Sequence, residues 1–483
     1  MENYDGLRSF IESCQEIGEC RVIEGADWDL EIGTLTEAAA ERIDSPPMLL
    51  FDRIKGYEAG YRVLSLPLAS PRRVALVLGL PTDRPKLELV RLSARKITEA
   101  TPIPPREVKD GPVMENVVTG DDLDLLKFPA LRSHPWDGGR YIGTGDNLIN
   151  RDPETGYVNV GTYRMQVHEP ALLGLWMSPG QQGRRICEAY WAEGKACPVV
   201  ATFGGEPLMF LASHIKFPWG ESELDIAGGI RGTPIEVIRG PITGLPIPAR
   251  AEIAIEGEVP PPSEQSHDEG PFGEWPGYYS GGTVGTGEKQ PVIRVKAIYH
   301  RNDPILINMA PLWPGAPQDG IQFRSGLIWD QVEAAGIPDV TGVYAYNAYM
   351  IVIAIRQRYA GHARQAGMAA ASCAAAARNG RYVVVVDDDI DPTNMDEVLW
   401  AMQTRVDPAS DIEILDGWWG TPLDPRMPPE KRDGGDYTNS RAIFYAVRPY
   451  TWRNRFPRVN RAEPDYLKDI IEKYRGVLPF PEN

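Results

Sequence analysis

Apolar residues recur at helical spacing through Gly6–Ile17 and Thr36–Ile43, whereas Met48–Ile54, Tyr61–Leu66 and Arg72–Leu80 are short apolar runs that predict strands. This mixture predicts an α/β N-terminal domain over residues 1–105. The Pro-rich passage Thr101-Pro-Ile-Pro-Pro-Arg106 interrupts both periods and is the candidate linker. Beyond it Tyr157–Val167, Pro198–Phe203, Pro234–Arg239, Ala249–Gly257 and Val292–Tyr299 all read as strands. Ala251, Ile253 and Ile255 share one face of their strand, as do Ile293, Val295, Ala297 and Tyr299 of theirs, which suits half-buried antiparallel strands. The expected outcome for residues 106–318 is a barrel or strongly curved sheet.

Residues 319–483 return to α/β patterning. An Ala-rich helix is expected through Ala369–Arg378, closed by Asn379-Gly380 and followed by the buried strand Tyr382–Val386. Asp387-Asp-Asp-Ile-Asp391 comes next and is expected to cap a helix in which Met395, Val398, Leu399 and Met402 recur at i, i+3, i+4, i+7. The fold class is therefore α/β plus β, with an N-terminal α/β domain, a central barrel-like domain and a C-terminal α/β domain.

A length of 483 residues fits two or three domains, and 48 glycines with 44 prolines imply many turns. The net charge of −17, with no compact Lys/Arg run, argues against nucleic acid and anionic membrane surfaces as partners. No apolar stretch approaches the ~18–20 residues that span a bilayer. The N-terminal MENYDGLRSFIESCQ lacks a basic segment followed by an apolar one, which argues against secretion. Cys14, Cys20, Cys187, Cys197 and Cys373 show no CxxC spacing, as expected of reduced thiols in a cytoplasm.

Walker A, HExxH, GxSxG and strand-following GxGxxG motifs are all absent. Conspicuous instead is Glu269-Gly-Pro-Phe-Gly-Glu274, two carboxylates in a composition that suits a tightly shaped loop able to aim side chains into a pocket. A solvated acidic turn is the alternative. Asn159-Val-Gly-Thr-Tyr-Arg164 places an amide and a guanidinium in otherwise uncharged surroundings, and an Arg there invites a carboxylate or phosphate, or else an ordinary salt bridge. Their odd separation puts them on opposite faces of a regular strand, so one shared site requires a bulge or bend, with Gly161 the candidate. Leu211–Glu223, followed by Ala227-Gly-Gly-Ile-Arg-Gly232, is rich in Gly beside a carboxylate, which suits close backbone approach to a ligand or a structural turn. The six histidines show no metal spacing.

In this order these segments, with Val118-Thr-Gly-Asp-Asp-Leu-Asp-Leu, Asp137-Gly-Gly-Arg-Tyr-Ile and Asp387-Asp-Asp-Ile-Asp-Pro-Thr-Asn, resemble the UbiD family of (de)carboxylases, whose cofactor is prenylated FMN. The resemblance runs from about residue 95 onward. It implies that Arg164, Glu269 and Glu274 form the catalytic network. It implies Mn²⁺ at Asn159, Gln181 and Glu223, with Gln182 the alternative if the match is offset by one residue, and K⁺ at Ala212, Ser213 and Ile215. Gln stands where relatives often carry His, and Mn²⁺ accepts a neutral oxygen ligand. The cofactor would be contacted by Asn159, Gly161, Thr162, Tyr163, Arg164, Gln181, Ser213, His214, Ile215, Glu223 and Arg381, the last replacing a family Lys near the phosphate.

The implied activity is reversible, non-oxidative decarboxylation of an unsaturated acid, aromatic or heteroaromatic before all others, in a cytoplasmic homo-oligomer (dimer or hexamer) supplied by a flavin prenyltransferase. The chemistry agrees: CO₂ lost from an sp² carbon leaves an electron pair that no protein side chain can store, so an organic electron sink is required. Two other functions remain, a split-barrel flavin oxidoreductase and a catalytically inactive assembly subunit. The first lacks a dinucleotide fingerprint here, and the intact Arg164, Glu269 and Glu274 speak against the second.

Overall fold

A computed structural model describes residues 4–478 apart from 216, 281–288, 314–318, 348 and 379. By contacts the chain forms two compact units, one of Met1–Thr82, Leu92–Phe323 and Pro422–Arg432, the other of Asp83–Arg91, Arg324–Thr421 and Asp433–Asn483.

In the first unit, Cys20–Glu24, Met48–Asp52 and Arg62–Ser65 line up in one sheet, completed by Ile305–Asn308 alongside Arg62–Ser65. That fourth strand arrives from far along the chain, which no local pattern announces. Helices Leu7–Glu16 and Glu31–Arg42 occupy the two segments of helical periodicity. Arg72–Leu80, expected as a strand, is instead the helix Pro71–Val77. A continuous apolar run has no period, and Pro71 at the first turn, where its missing N–H is harmless, decides for helix. The helical turn also buries Arg73 completely, where it donates to Glu19 at 2.5 Å and to the carbonyls of Pro46 and Leu66. The Thr101–Arg106 passage packs closely, with Ile103 N donating to Asp225 O at 2.9 Å.

The central sheet of ten strands runs, in order, Arg140–Gly143, Arg164–Glu169, Leu172–Trp176, Lys289–His300, Ile253–Val259, Cys197–Phe203, Asp146–Arg151 and Val158–Gly161, with Asn116–Thr119 and Ser266–Asp268 also paired to Lys289–His300. Chain order shows that this sheet must curl. Arg140–Gly143 lies at one end and is tied by Thr144-Gly145 to Asp146–Arg151, next to the other end. Thr162-Tyr163 likewise connects the far-end strand Val158–Gly161 to Arg164–Glu169 beside the near end. Such links reach only about 11 Å, so both ends stand close together, as in a half-closed barrel. Its interior is filled by Leu148, Met165, Leu173, Val199, Ala201, Ile253, Ile255 and Ile293, all fully buried.

The second unit contains a five-stranded sheet ordered Val340–Tyr346, Met350–Ile355, Tyr382–Asp387, Thr438–Ala446 and Ile412–Trp419. Tyr382–Asp387 lies at its centre between two parallel neighbours, which explains its unbroken valines. The Ala-rich helix spans His362–Ser372, not Ala369–Arg378: Cys373 turns extended and Ala374–Arg378 form turns, while Asn379 lies outside the described residues. Gly380, expected with Asn379 to close that helix, lies well beyond its end and has a positive φ of +91°. The helix Met395–Arg405 forms as its periodicity predicts, but Asn394 caps it, accepting from Asp396 N and Glu397 N. The acidic run is used otherwise. Asp387 and Asp389 both hold the buried Arg405, at 3.0 and 2.9 Å, because a carboxylate at the end of a buried strand needs a cation more than the helix needs a second cap.

Candidate active site

Asn159 and Arg164 do not share one strand. Tyr157–Val167 breaks at Thr162-Tyr163, and the expected bulge at Gly161 is a strand end. The odd spacing is resolved because the two residues belong to opposite ends of the curled sheet, brought together at its seam. Gly161 serves a different purpose: a Cβ there would come within 2.6 Å of the Tyr163 ring.

Arg164 opens its strand opposite Trp176. Its guanidinium lies 4.7 Å from the Trp176 ring and 4.6 Å from the Phe272 ring. Nε and Nη2 donate to Glu269 Oε1 and Oε2 at 2.5 and 2.7 Å, and Nη1 donates to Glu274 Oε1. All three residues are at least nine-tenths buried. The two carboxylates hold the guanidinium above its ordinary range although burial alone would lower it.

The Glu269–Glu274 loop is shaped by partners that the sequence pattern did not single out. Gln166 brackets it, accepting from Gly270 N at 3.2 Å and donating to Gly138 O at 3.2 Å. Gly138 N donates to Pro271 O at 2.8 Å, Tyr141 Oη donates to Gly270 O at 3.1 Å, and Asp137 Oδ1 accepts from Gly273 N at 3.3 Å. Gly138 and Gly270 pack backbone against backbone, so a Cβ on either would collide with the other. Of these partners the sequence had pointed only to the Asp137-Gly-Gly-Arg-Tyr-Ile segment, through the family resemblance and without a role.

Across the seam lies a second polar cluster. Glu223 opens helix Glu223–Arg231, is 3% exposed, and has Val160 N as a hydrogen-bond donor at 2.8 Å. Burial without a countercharge pushes its carboxyl up to about 7. Asn159 donates through Nδ2 to Asn150 Oδ1 at 3.2 Å, leaving its carbonyl oxygen for a cation, and Asn150 in turn donates to Gly183 O at 3.0 Å. Gln181 precedes helix Gln182–Ala192 and makes no side-chain cap bond. Gln182 is engaged, accepting from Tyr157 Oη and donating to Phe217 O, both at 3.0 Å. Among the described residues no three His, Cys, Asp or Glu side chains could hold a metal, so a cation here would take amide oxygens besides Glu223. An uncompensated carboxylate with hard oxygen donors suits a divalent ion such as Mn²⁺.

Beside this cluster Thr162 Oγ1 meets Ser213 Oγ at 2.8 Å and donates to Asp146 O at 2.9 Å. Helix Pro207–His214 ends there, with Ile215 N on Ala212 O at 3.1 Å and the His214 Nδ1 on Phe210 O at 2.8 Å. Tyr163 Oη accepts from Gly183 N at 3.0 Å. Asn159, Gly161, Thr162, Tyr163, Ser213 and Glu223 thus line one seam that continues into Arg164. Arg381 belongs to the other unit, its guanidinium 4.9 Å from the Tyr349 ring.

The half-closed barrel thus holds a buried guanidinium between two carboxylates at its seam. Comparison with known proteins gives the family. Residues 11–92, 106–314 and 323–446 match the N-terminal, Rift-related and C-terminal domains of 3-octaprenyl-4-hydroxybenzoate carboxy-lyase. A phenolic acid decarboxylase of Streptomyces sp. (strain D7) is 31% identical over 425 residues, covering 85% of this chain and 86% of that protein. A pyrrole-2-carboxylic acid decarboxylase of Pseudomonas aeruginosa is 32% identical over 424 residues, 84% of each chain. The solved UbiD-class enzyme HmfF of Pelotomaculum thermopropionicum, in complex with FMN, superposes with a TM-score of 0.83 at 29% identity over 96% of this chain and all of that one. The chain belongs to the UbiD family and is a carboxy-lyase of that class. The flavin-reductase and inactive-subunit readings are not favoured.

Proposed function

We propose that this enzyme removes CO₂ reversibly from an aromatic or heteroaromatic carboxylic acid, with prenylated FMN, Mn²⁺ and K⁺ as cofactors. The observation that carries the proposal is the buried Arg164 with Glu269 on one side of its fork and Glu274 on the other. Relatives named for phenolic acids and for pyrrole-2-carboxylic acid support the substrate class, and solved relatives with FMN and prenylated FMN support the cofactor. The aromatic walls Trp176, Phe272 and Tyr141 suit a planar ring.

Asn159, Gln181 and Glu223 would hold Mn²⁺, and Ala212, Ser213 and Ile215 would hold K⁺ beside the cofactor phosphate. When bound, prenylated FMN supplies the electron sink for the carbon that CO₂ leaves. Arg164 binds the substrate carboxylate through its planar fork. Glu269 fixes the orientation of Arg164. As the carbon–carboxyl bond breaks, its electron pair stays on the carbon, and Glu274 donates a proton to that carbon and is reprotonated from solvent. The same residues serve carboxylation at high CO₂, with Glu274 as the base. A homo-oligomer, dimer or hexamer, is the expected assembly, and a flavin prenyltransferase the expected source of cofactor.

The test is expression with and without a flavin prenyltransferase, followed by a panel of phenolic, heteroaromatic and phenylacrylic acids with products read by chromatography. Turnover is expected only after co-expression. Full activity with plain FMN would overturn the cofactor assignment, and no turnover of any aromatic acid would overturn the substrate class.

A further inference from the structure

The far side of the Glu269–Glu274 loop, away from Arg164, carries a group of charges that the reaction does not use. Asp137 is buried and accepts two backbone N–H groups, from Gly273 through Oδ1 at 3.3 Å and from His134 through Oδ2 at 2.8 Å. It therefore touches the residue directly before Glu274. The His134 imidazole stands between two carboxylates, with Nε2 3.4 Å from Glu37 Oε2 and Nδ1 3.7 Å from Asp137 Oδ2, an ion-pair distance too long for a hydrogen bond. Glu37 reaches His134 because helix Glu31–Arg42 lies directly on the preceding residue: Gly33, one turn before Glu37, packs on Ser133 where any side chain would collide.

We propose that Asp137, His134 and Glu37 form a charge-dependent clamp that positions the Glu269–Glu274 loop, held while His134 carries a proton and loosened when it does not. The inference rests on Glu274 being the proton donor. Two anions flank one imidazole, so a neutral ring leaves Glu37 and Asp137 repelling each other across a partly buried gap, and Asp137 is the member bonded to the loop. The other ionisable groups here are Arg132, which faces Asp137 and pairs with Asp29 at 2.6 Å, Tyr141, and Tyr279, whose hydroxyl accepts Trp136 N at 3.2 Å. Burial lowers His134, but Asp137 and Glu37 more than offset it and raise the ring above its ordinary range. The clamp is therefore fully present in acid and is lost as pH rises through that raised value. His134 and Asp137 are positioning residues: Arg164 is held by Glu269 and Glu274, and Asp137 meets the loop through Gly273 N.

Amide hydrogen exchange of the full chain, followed by mass spectrometry of peptides spanning Gly270–Tyr279 at pH 6 and pH 9, tests this without a substrate. After correction for intrinsic exchange, wild-type protection should be roughly tenfold higher at pH 6 than at pH 9. H134Q should lose that step and exchange at pH 6 as fast as wild type does at pH 9. H134K, which keeps a cation at both pH values, should hold the loop protected at pH 9. D137N should weaken protection at both. With the acid that the panel identifies, the alkaline fall in kcat should shift upward in H134K while KM stays unchanged. A pH step that survives in H134Q, or D137N with wild-type protection, overturns the clamp. E274Q keeps the two questions apart: turnover by that variant would overturn the donor assignment, whereas its exchange step should match wild type in either case.

Discussion

Arg164 and Glu269 meet through two parallel hydrogen bonds, Nε to Oε1 at 2.5 Å and Nη2 to Oε2 at 2.7 Å, while Glu274 takes only Nη1 of the same guanidinium. The doubly bonded carboxylate is committed to orientation, whereas the other meets the guanidinium through a single oxygen. E274Q preserves shape without an acidic proton, so it should bind FMN and substrate but lose turnover by at least ~10²-fold. E269Q should raise KM as well as lower kcat, because Arg164 loses its bidentate partner. In deuterated buffer wild type should exchange the product hydrogen at the former carboxyl position and E274Q should not. Near-normal exchange by E274Q would assign the proton to another group.

Glu223 should decide cation binding. E223A is expected to lose Mn²⁺ and bound flavin together, because the carboxylate is the only charged donor of the proposed set. Q181A should weaken both less. Q182A should instead lower the melting temperature with metal content intact, since Gln182 ties Tyr157 to Phe217 O. Elemental analysis separates these outcomes, and a full metal complement in E223A would remove Glu223 from the site.

G138A places a methyl group against the Gly270 backbone, where no flexible side chain can yield. The Glu269–Glu274 loop must shift, and overpacking of this kind costs about 1–3 kcal/mol. Turnover should fall at least tenfold while the far-ultraviolet circular dichroism spectrum stays that of wild type. Full activity would mean that the close contact between the two turns is dispensable.

His168 supplies an acid-side signature. Burial first, and then the stacked His267 at 3.7 Å between ring centroids, lower its imidazole to about 4. The folded state therefore keeps His168 neutral where an unfolded chain would protonate it, at about 6.5. Its contribution is complete above pH 6.5 and is lost as pH falls towards 4. H168F should flatten that part of the melting-temperature profile. Parallel profiles for the variant and wild type from pH 7.5 to 4.5 would show that His168 does not titrate with unfolding.

Much of this protein was legible as linear pattern. Alternation in Val292–Tyr299, the buried run Tyr382–Val386 and the spacing of Met395, Val398 and Met402 each produced the expected element, because each depends on which side chains leave water within one segment. The Glu269-Gly-Pro-Phe-Gly-Glu274 loop and Arg164 were likewise conspicuous as residue types. Tertiary structure alone decided what they meet. Arg164 and Glu269 are 105 positions apart, and their pairing exists because the curled sheet, on closing, gathers Arg164–Glu169 and Ser266–Asp268 from distant parts of the chain. The same closure separated Asn159 from Arg164 into two strands and supplied Gln166, Trp176 and Asp137 as supports. Periodicity could not assign Pro71–Val77 either, where an apolar run lacks a period and both Pro71 at the first turn and the burial of Arg73 against Glu19 favour the helix. Periodicity records the environment each segment needs, while the meeting of distant charges depends on chain closure, which carries no local signal.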